Sequence, residues 1–299
     1  MNRLSADTRS AVVAALSEGN SLHATSRMTG VARNTVSKLL VDLGIVCSVY
    51  QDTVLRDLSC ERIQVDEIWA FVYAKQKNVP ADRRGDSGCG DIWTWVALEA
   101  DTKLVTTYRI GARDLREASA FMTDLASRLR NRVQITSDGF APYTLAVPGA
   151  FGGDVDYAQL VKIYGNDPSR KPERRYSPAV CLDAVPSRVC GDPDPEHIST
   201  SYVERLNLTM RMSMRRYTRL TNGFSKKVEN LAAAVSLHFM HYNFCRVHKT
   251  LGTTPAVAAG AADHVWKVAD IISLLDEAER AVSIPRGPYK PRSPRTISN

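Results

Sequence analysis

None of the six cysteines in this 299-residue chain (Cys47, Cys60, Cys89, Cys181, Cys190 and Cys245) stands within a CxxC spacing of another. A cysteine-anchored zinc site or a paired redox motif is therefore not written into it, and unpatterned thiols outside a secretory context read as reduced. No apolar run is long enough to cross a bilayer and the first residues do not read as a signal peptide, so a cytoplasmic protein with no membrane partner is expected. The most apolar stretch, Leu231 to Phe239, is short and runs into His241 and Tyr242, which fits a buried helix. His238, His241 and His248 lack a carboxylate at ligand spacing, which argues against a histidine metal site. No Ser–His or Cys–His arrangement stands out either, so covalent nucleophilic catalysis has no visible machinery. Hydrophobic residues at 44% and charged residues at 24% are ordinary for a globular chain, so the function must be sought in patterning.

Acid is scarce where base is concentrated. From Tyr202 to Lys227 seven bases (Arg205, Arg211, Arg215, Arg216, Arg219, Lys226 and Lys227) face one acid, Glu204. The last residues, 285–299, hold Arg286, Lys290, Arg292 and Arg295 and no acid. These segments carry +6 and +4 while the whole chain carries only +7, so acid prevails elsewhere. Base gathered into two segments suggests a polyanion track rather than general solubility. Prolines at 285, 288, 291 and 294 suit an extended, basic, polyproline-type tail over 285–299.

Residues 1–48 read as a small all-helical unit: a helix over Thr8 to Glu18 closed by Gly19-Asn20, a second from Leu22 to Thr29 capped by Ser21, and, after Gly30, a third from Arg33 to Leu43 ended by Gly44. Val36, Leu39, Leu40 and Leu43 give the third helix an apolar stripe. Arg33, Asn34, Thr35, Ser37 and Lys38 lie toward its start and outer face, the pattern of a helix-turn-helix whose second helix enters the DNA major groove. A linker over 49–60 is expected to follow, then strands near 63–73, 92–99 and 104–110, a helix from Asp114 to about Arg130, a strand at 133–137, a helix near 141–147 and a strand near 158–163. Three strands, helix, strand, helix, strand is the order of an RNase-H-like domain, an α/β fold with a mixed sheet, placed here at 61–250. Scattered proline and charge over 165–200 read as an irregular insertion. Helices return at about 201 and over 225–242, with a helical carboxyl segment at 251–284.

The stretch Ile63-Gln64-Val65-Asp66-Glu67-Ile68-Trp69-Ala70-Phe71-Val72-Tyr73 sets an acidic pair inside a strand-like run, where a charge is costly unless paired or bound to a metal. Alternation along a strand sends Asp66 and Glu67 to opposite faces, so the expectation is that they do not share a site. The fold would bring Asp138, in Thr136-Ser137-Asp138-Gly139, to the strand beside Asp66, at the carboxyl ends where open sheets build their sites. On the helix after 200, Glu204, Asn207 and Arg211 share a stripe beside the buried one.

Val65-Asp66-Glu67-Ile68-Trp69, Thr136-Ser137-Asp138-Gly139, Tyr202-Val203-Glu204-Arg205-Leu206-Asn207 and the run from Tyr242 to Ala256 (YNFCRVHKTLGTTPA) together resemble, over residues 61 to 258, the DDE transposases of bacterial insertion sequences, nearest the insertion-sequence-one type. The resemblance implies Asp66, Asp138 and Glu204 as catalytic, metal-binding acids for two Mg²⁺ or Mn²⁺ ions. It also implies Arg211 at a DNA-contacting position, with Arg205, Arg215 and Arg216 holding phosphates near the metals. The gap between Asp138 and Glu204 is longer than usual for the family, with Glu196 and Glu173 as alternative third acids, and the family's cysteine-rich finger is replaced by the helix-turn-helix. By the same resemblance the reaction is cleavage and transfer of DNA strands at insertion-sequence ends. Its partners are double-stranded DNA (terminal inverted repeats and target) and further copies of the chain, as a dimer or higher oligomer in a synaptic complex at the nucleoid. A DNA-binding protein with an inactive core, or a metal-dependent nuclease that does not join, remain the alternatives.

Overall fold

The computed structural model describes residues 3–86, 88–165, 181–218 and 221–282. The basic tail 285–299, residues 166–180 of the expected insertion and Glu173 with them lie outside the described residues. Three helices open the chain: α1 (Ala6–Ser17), α2 (Leu22–Thr29) and α3 (Arg33–Val54). The Ser5 and Ser21 hydroxyls accept from the Thr8 and Ala24 amides and so start α1 and α2, and Gly30, at φ 71°, ends α2.

The third helix does not stop at Gly44. It continues for nearly three more turns, so half of the expected linker over 49–60 is helix. The reason is packing: a Cβ on Gly44 would overlap the Cα and Cβ of Ala233 on a later helix, α7 (Val228–Met240). Here glycine permits contact between two helix backbones rather than marking a C-cap. Farther along α3, the buried Gln51 amide donates to the Ser236 carbonyl at 3.2 Å. Arg9 of α1 pairs with Asp276 of the last helix, α9 (Val268–Val282), 3.0 Å between Nη2 and Oδ2.

A six-stranded mixed sheet lies at the centre, in the order β3-β2-β1-β4-β5-β6. Its strands are β1 (Arg62–Val72), β2 (Gly90–Glu99), β3 (Val105–Gly111), β4 (Val133–Ser137), β5 (Val155–Tyr164) and β6 (Cys181–Cys190). β1 runs antiparallel to β2 and parallel to β4. The turn from β2 to β3 is pinned by Glu99, whose carboxylate accepts from the Asp101 and Thr102 amides, while Lys103 takes φ 61°. α4 (Leu115–Ala126), capped by Asp114, and α5 (Tyr143–Phe151) connect the parallel strands. α6 (Ser201–Ser213) packs on β1 and β2.

The stretch read as an irregular insertion contains β6, which pairs antiparallel with β5 and is almost wholly exposed. Pro186 stands opposite Leu160, a residue type that sheets accept at an edge because it offers no ladder N–H. Exposure on both faces also explains why β6 lacks the apolar alternation that marks a half-buried strand.

At the opposite edge, the wholly buried Asn243 accepts from the Val105 amide and donates to the Val105 carbonyl, both at 3.0 Å. It occupies a π-helical turn, His241–Cys245, directly after α7. A short helix, α8 (Pro255–Ala258), follows. Through Asn243, the Tyr242 to Ala256 motif thus satisfies the backbone groups at the start of the β3 edge, which would otherwise be orphaned.

In an exposed helix, Gly→Ala adds about 1 kcal/mol of stability. At position 44 the overlap with Ala233 reverses that sign, and Gly44→Ala is expected to lower unfolding stability by about 1–3 kcal/mol in urea denaturation.

Candidate active site

β1 outruns its parallel neighbour. Pairing with β4 ends at Val65 opposite Ser137, so at Asp66 and Glu67 the β4 side of the strand is open. Asp138, the first residue after β4, stands at that opening. One carboxylate oxygen from each of Asp66, Glu67 and Asp138 lies within 4.8 Å of the others. The expectation that Asp66 and Glu67 cannot share a site is therefore wrong for this position. Alternation separates side chains across a continuous sheet, but where no neighbouring strand intervenes both can turn round the edge toward a third group.

Each acid is held by its own element. Asp66 faces α6, where the Asn207 amide donates to its Oδ2 at 2.8 Å. Two residues earlier, Gln64 accepts from the Tyr202 and Val203 amides at 2.8 and 3.1 Å, fixing the start of α6 against β1. Asp138 Oδ1 accepts from the Phe140 amide at 3.0 Å, and the Gln159 amide of β5 ties down the carbonyls of Asp138 and Phe140. Glu67 lies on the other face beside the fully buried Tyr143, its side chain only 1% exposed.

Burial and the nearby Asp138 charge push the Asp66 carboxyl up to about 6, against the pull of its hydrogen bonds. The same two causes push Glu67 up to about 8, although the Arg113 guanidinium opposes them. Arg113, in the loop before α4, has one nitrogen 3.7 Å from Glu67 and 3.6 Å from Asp138, and its guanidinium lies 3.8 Å from the Phe140 ring centroid. A single partly exposed cation thus serves two carboxylates.

Glu204, in the first turn of α6, lines the same cleft of about 870 Å³ but stands outside the close cluster. Its Oε1 accepts from Lys162 of β5 and from the Thr200 hydroxyl. Asn207 and Arg211, one and two turns on, also line the cleft, as the shared stripe on α6 anticipates. Glu196 sits in a short turn, Pro195–His197, beside the Arg62 and Gln134 ends of β1 and β4, away from the cleft.

The basic residues divide. Arg211 lines the carboxylate cleft, Arg205 is exposed on α6 outside it, and Arg215 and Arg216 line a different cavity toward the N-terminal helices. The expectation that all four gather at one place fails because the helix ends at Ser213 and a short turn, Arg215–Tyr217, redirects the chain. On α3, Arg33, Asn34, Thr35 and Lys38 are exposed and Ser37 is half-buried; Lys38 pairs with Asp42.

Glu67, Arg113 and Lys162 were not legible as site residues. The tandem Asp66-Glu67 was itself a signal, discounted by the alternation rule. Nothing local separates Arg113 from Arg109 or Arg116. The donor set suits a hard divalent cation: carboxylate oxygens in close array, with Glu67 Oε1 and Asn207 Oδ1 buried and lacking a well-formed hydrogen bond.

No protein-family model matches the chain, and no curated protein matches it. A solved structure, the cryo-EM structure of piggyBac transposase in a synaptic complex with hairpin DNA, is similar at 12% identity over 76% of this chain, with a TM-score of 0.30. The chain spans 55% of that protein's length.

Raised carboxyls link this site to stability. The folded chain retains protons on Asp66 and Glu67 that the unfolded chain surrenders near pH 4, so the metal-free protein is expected to lose stability as pH rises through about 6 and then about 8. Glu67→Gln removes the share of that loss that Glu67 contributes between about pH 4.5 and 8, with a gain on the order of 5 kcal/mol at pH 8.5 in urea denaturation. Mn²⁺ should raise the wild type's stability most at the same pH, where the carboxylates are ionised.

Proposed function

We propose that the chain is a DDE-type DNA transposase, cutting and joining DNA strands at insertion-sequence ends. The observation that carries this reading is the cleft in which Asp66 on β1, Asp138 after β4 and Glu204 on α6 meet, with Glu67 beside them. Acids from two adjacent parallel strands and a later helix are what an RNase-H-like core uses for phosphoryl transfer, and the element order from β1 to β5 supports that core. α1 to α3 support a helix-turn-helix, with Arg33, Asn34, Thr35, Ser37 and Lys38 toward the terminal inverted repeats.

Asp66, Asp138 and Glu204 would hold Mg²⁺ or Mn²⁺, two ions in the full reading, and Glu67 adds a fourth carboxylate at reach. Bound ions supply Lewis acidity at phosphorus and an activated water or 3′-hydroxyl. The chain's own residues do the rest. Asn207 orients Asp66, Arg113 spreads its charge over Glu67 and Asp138, and Arg211 offers a cation to the DNA backbone. Lys162 holds Glu204 and must release it when that carboxylate turns to a cation, which leaves the lysine for a phosphate. Synapsis of two DNA ends calls for a dimer or higher oligomer, acting at the nucleoid in the cytoplasm.

The test is cleavage and joining of a labelled duplex carrying the element's terminal repeat, with Mg²⁺ or Mn²⁺. Asp66→Ala, Asp138→Ala and Glu204→Ala are each expected to lose at least about 10³-fold in rate, the scale of a lost transition-state electrostatic contact. Nicks without joined products would make it a nuclease. Binding with no cleavage under either metal would leave a DNA-binding protein. Full activity in Glu204→Ala beside a dead Glu67→Ala would transfer the third acid to Glu67.

A further inference from the structure

A second cavity, of about 390 Å³, opens between the α1–α2 turn and the chain that follows α6. The contact is close: a Cβ at Gly19 would stand 3.1 Å from the Ser213 carbonyl oxygen. The volume falls within the range of small-ligand sites, roughly 300–1,000 Å³.

Its lining is charged in one sense only. Arg33, Arg215, Arg216 and Lys226 border it, and among the described residues no Asp or Glu does. None of these four forms a salt bridge with a described residue. Arg216 donates from Nε to the Ser225 hydroxyl at 2.8 Å, and burial pulls its guanidinium below the usual arginine range. Cations brought together without counter-charge repel one another, so the arrangement is stabilised by an anion.

The inner wall is of another kind. Leu40 and Leu237 are buried apolar surface, and Phe224 joins them. Two buried polar atoms on the lining, Ser17 Oγ and His238 Nε2, have no hydrogen-bond partner. Burial pulls His238 down to about 3, so its imidazole is neutral and offers a hydrogen bond rather than a charge. Apolar wall, orphaned polar atoms and a cationic mouth correspond to the three parts of a nucleotide.

We propose that this cavity binds one nucleotide unit, its phosphate on Arg33, Arg215, Arg216 and Lys226 and its base against the apolar wall. The unit comes either from a free nucleoside monophosphate or from a DNA strand that passes the carboxylate cleft, the second source resting on the transposase reading. α6 sets the spacing for the second. Glu204 and Ser213 are nine residues apart on one helix, about 14 Å at 1.5 Å per residue, or about four steps of a duplex strand at 3.4 Å each. Taking a base out of a stack costs a few kcal/mol, which a closed pocket for it offsets.

The experiment measures binding to the full chain of deoxyadenosine 5′-monophosphate, inorganic phosphate, and single- and double-stranded 20-mers with 2-aminopurine placed at successive positions. Wild type is set beside Arg215→Glu/Lys226→Glu, both exposed at the mouth, and beside Arg130→Glu/Arg188→Glu, an equal charge change elsewhere on the surface. The mouth variant is expected to bind at least 10-fold more weakly and the control within 2-fold. Tight binding of the monophosphate points to the free nucleotide. Weak monophosphate binding, with 2-aminopurine brightening at one position only in wild type and control, points to a nucleotide extruded from a strand. Equal losses in both variants, or inorganic phosphate binding as tightly as either nucleotide ligand, overturn the proposal. Asp66→Ala separates the two readings: nucleotide binding sensitive to the mouth variant stands by itself if neither wild type nor Asp66→Ala cleaves DNA.

Discussion

Negative charge kept out of water at the open edge of one strand is the constraint on which the other features of the site depend. Burial and the charge of Asp138, just past β4, raise the proton affinity of the two acids on adjacent residues of β1, and protein groups relieve them only in part. Such a cluster persists because the elements that carry it are themselves held by hydrogen bonds. Gln64 seats α6, Gln159 seats the turn after β4, and the buried Asn243 holds the start of the edge strand β3. Isolated buried carboxylates shed their charge by binding protons; assembled ones can instead exchange protons for a cation, which would link metal binding to proton release at this cluster.

Much of this was legible in the residues because it follows from local rules. Ser21 and Asp114 start helices, Val36, Leu39, Leu40 and Leu43 form a buried stripe, and the strand order through β5 follows apolar runs set off by turn residues. What escaped depends on neighbours distant in the chain. Gly44 looks like a helix end until Ala233 is beside it. β6 shows no strand pattern because neither of its faces is covered. Asp66 and Glu67 look separated until one sees that β4 stops short of them.

The basic residues show the same division between composition and geometry. Seven bases in one segment suggest a single polyanion track, and charge counting goes no further. The end of α6 at Ser213 sorts them, leaving Arg211 with the carboxylates and turning Arg215 and Arg216 toward α1 to α3. Cations close to acids moderate those acids, while cations apart from acids keep their full appetite for an anion. Equal charge therefore does different work on the two sides of a helix terminus.

α6 joins these surroundings mechanically. It carries Glu204, Asn207 and Arg211 along the acidic cleft, and its last residue, Ser213, meets the turn between α1 and α2. A helix of this length moves as a stiff lever. If it tilts about its middle, a shift of about 1 Å at Ser213 appears as an opposite shift of about half that at Glu204, which lies half as far from the pivot, and it bears on whether that carboxylate reaches toward Asp66 or stays with Lys162. Under such a tilt, whatever settles against the N-terminal helices would be registered as carboxylate position.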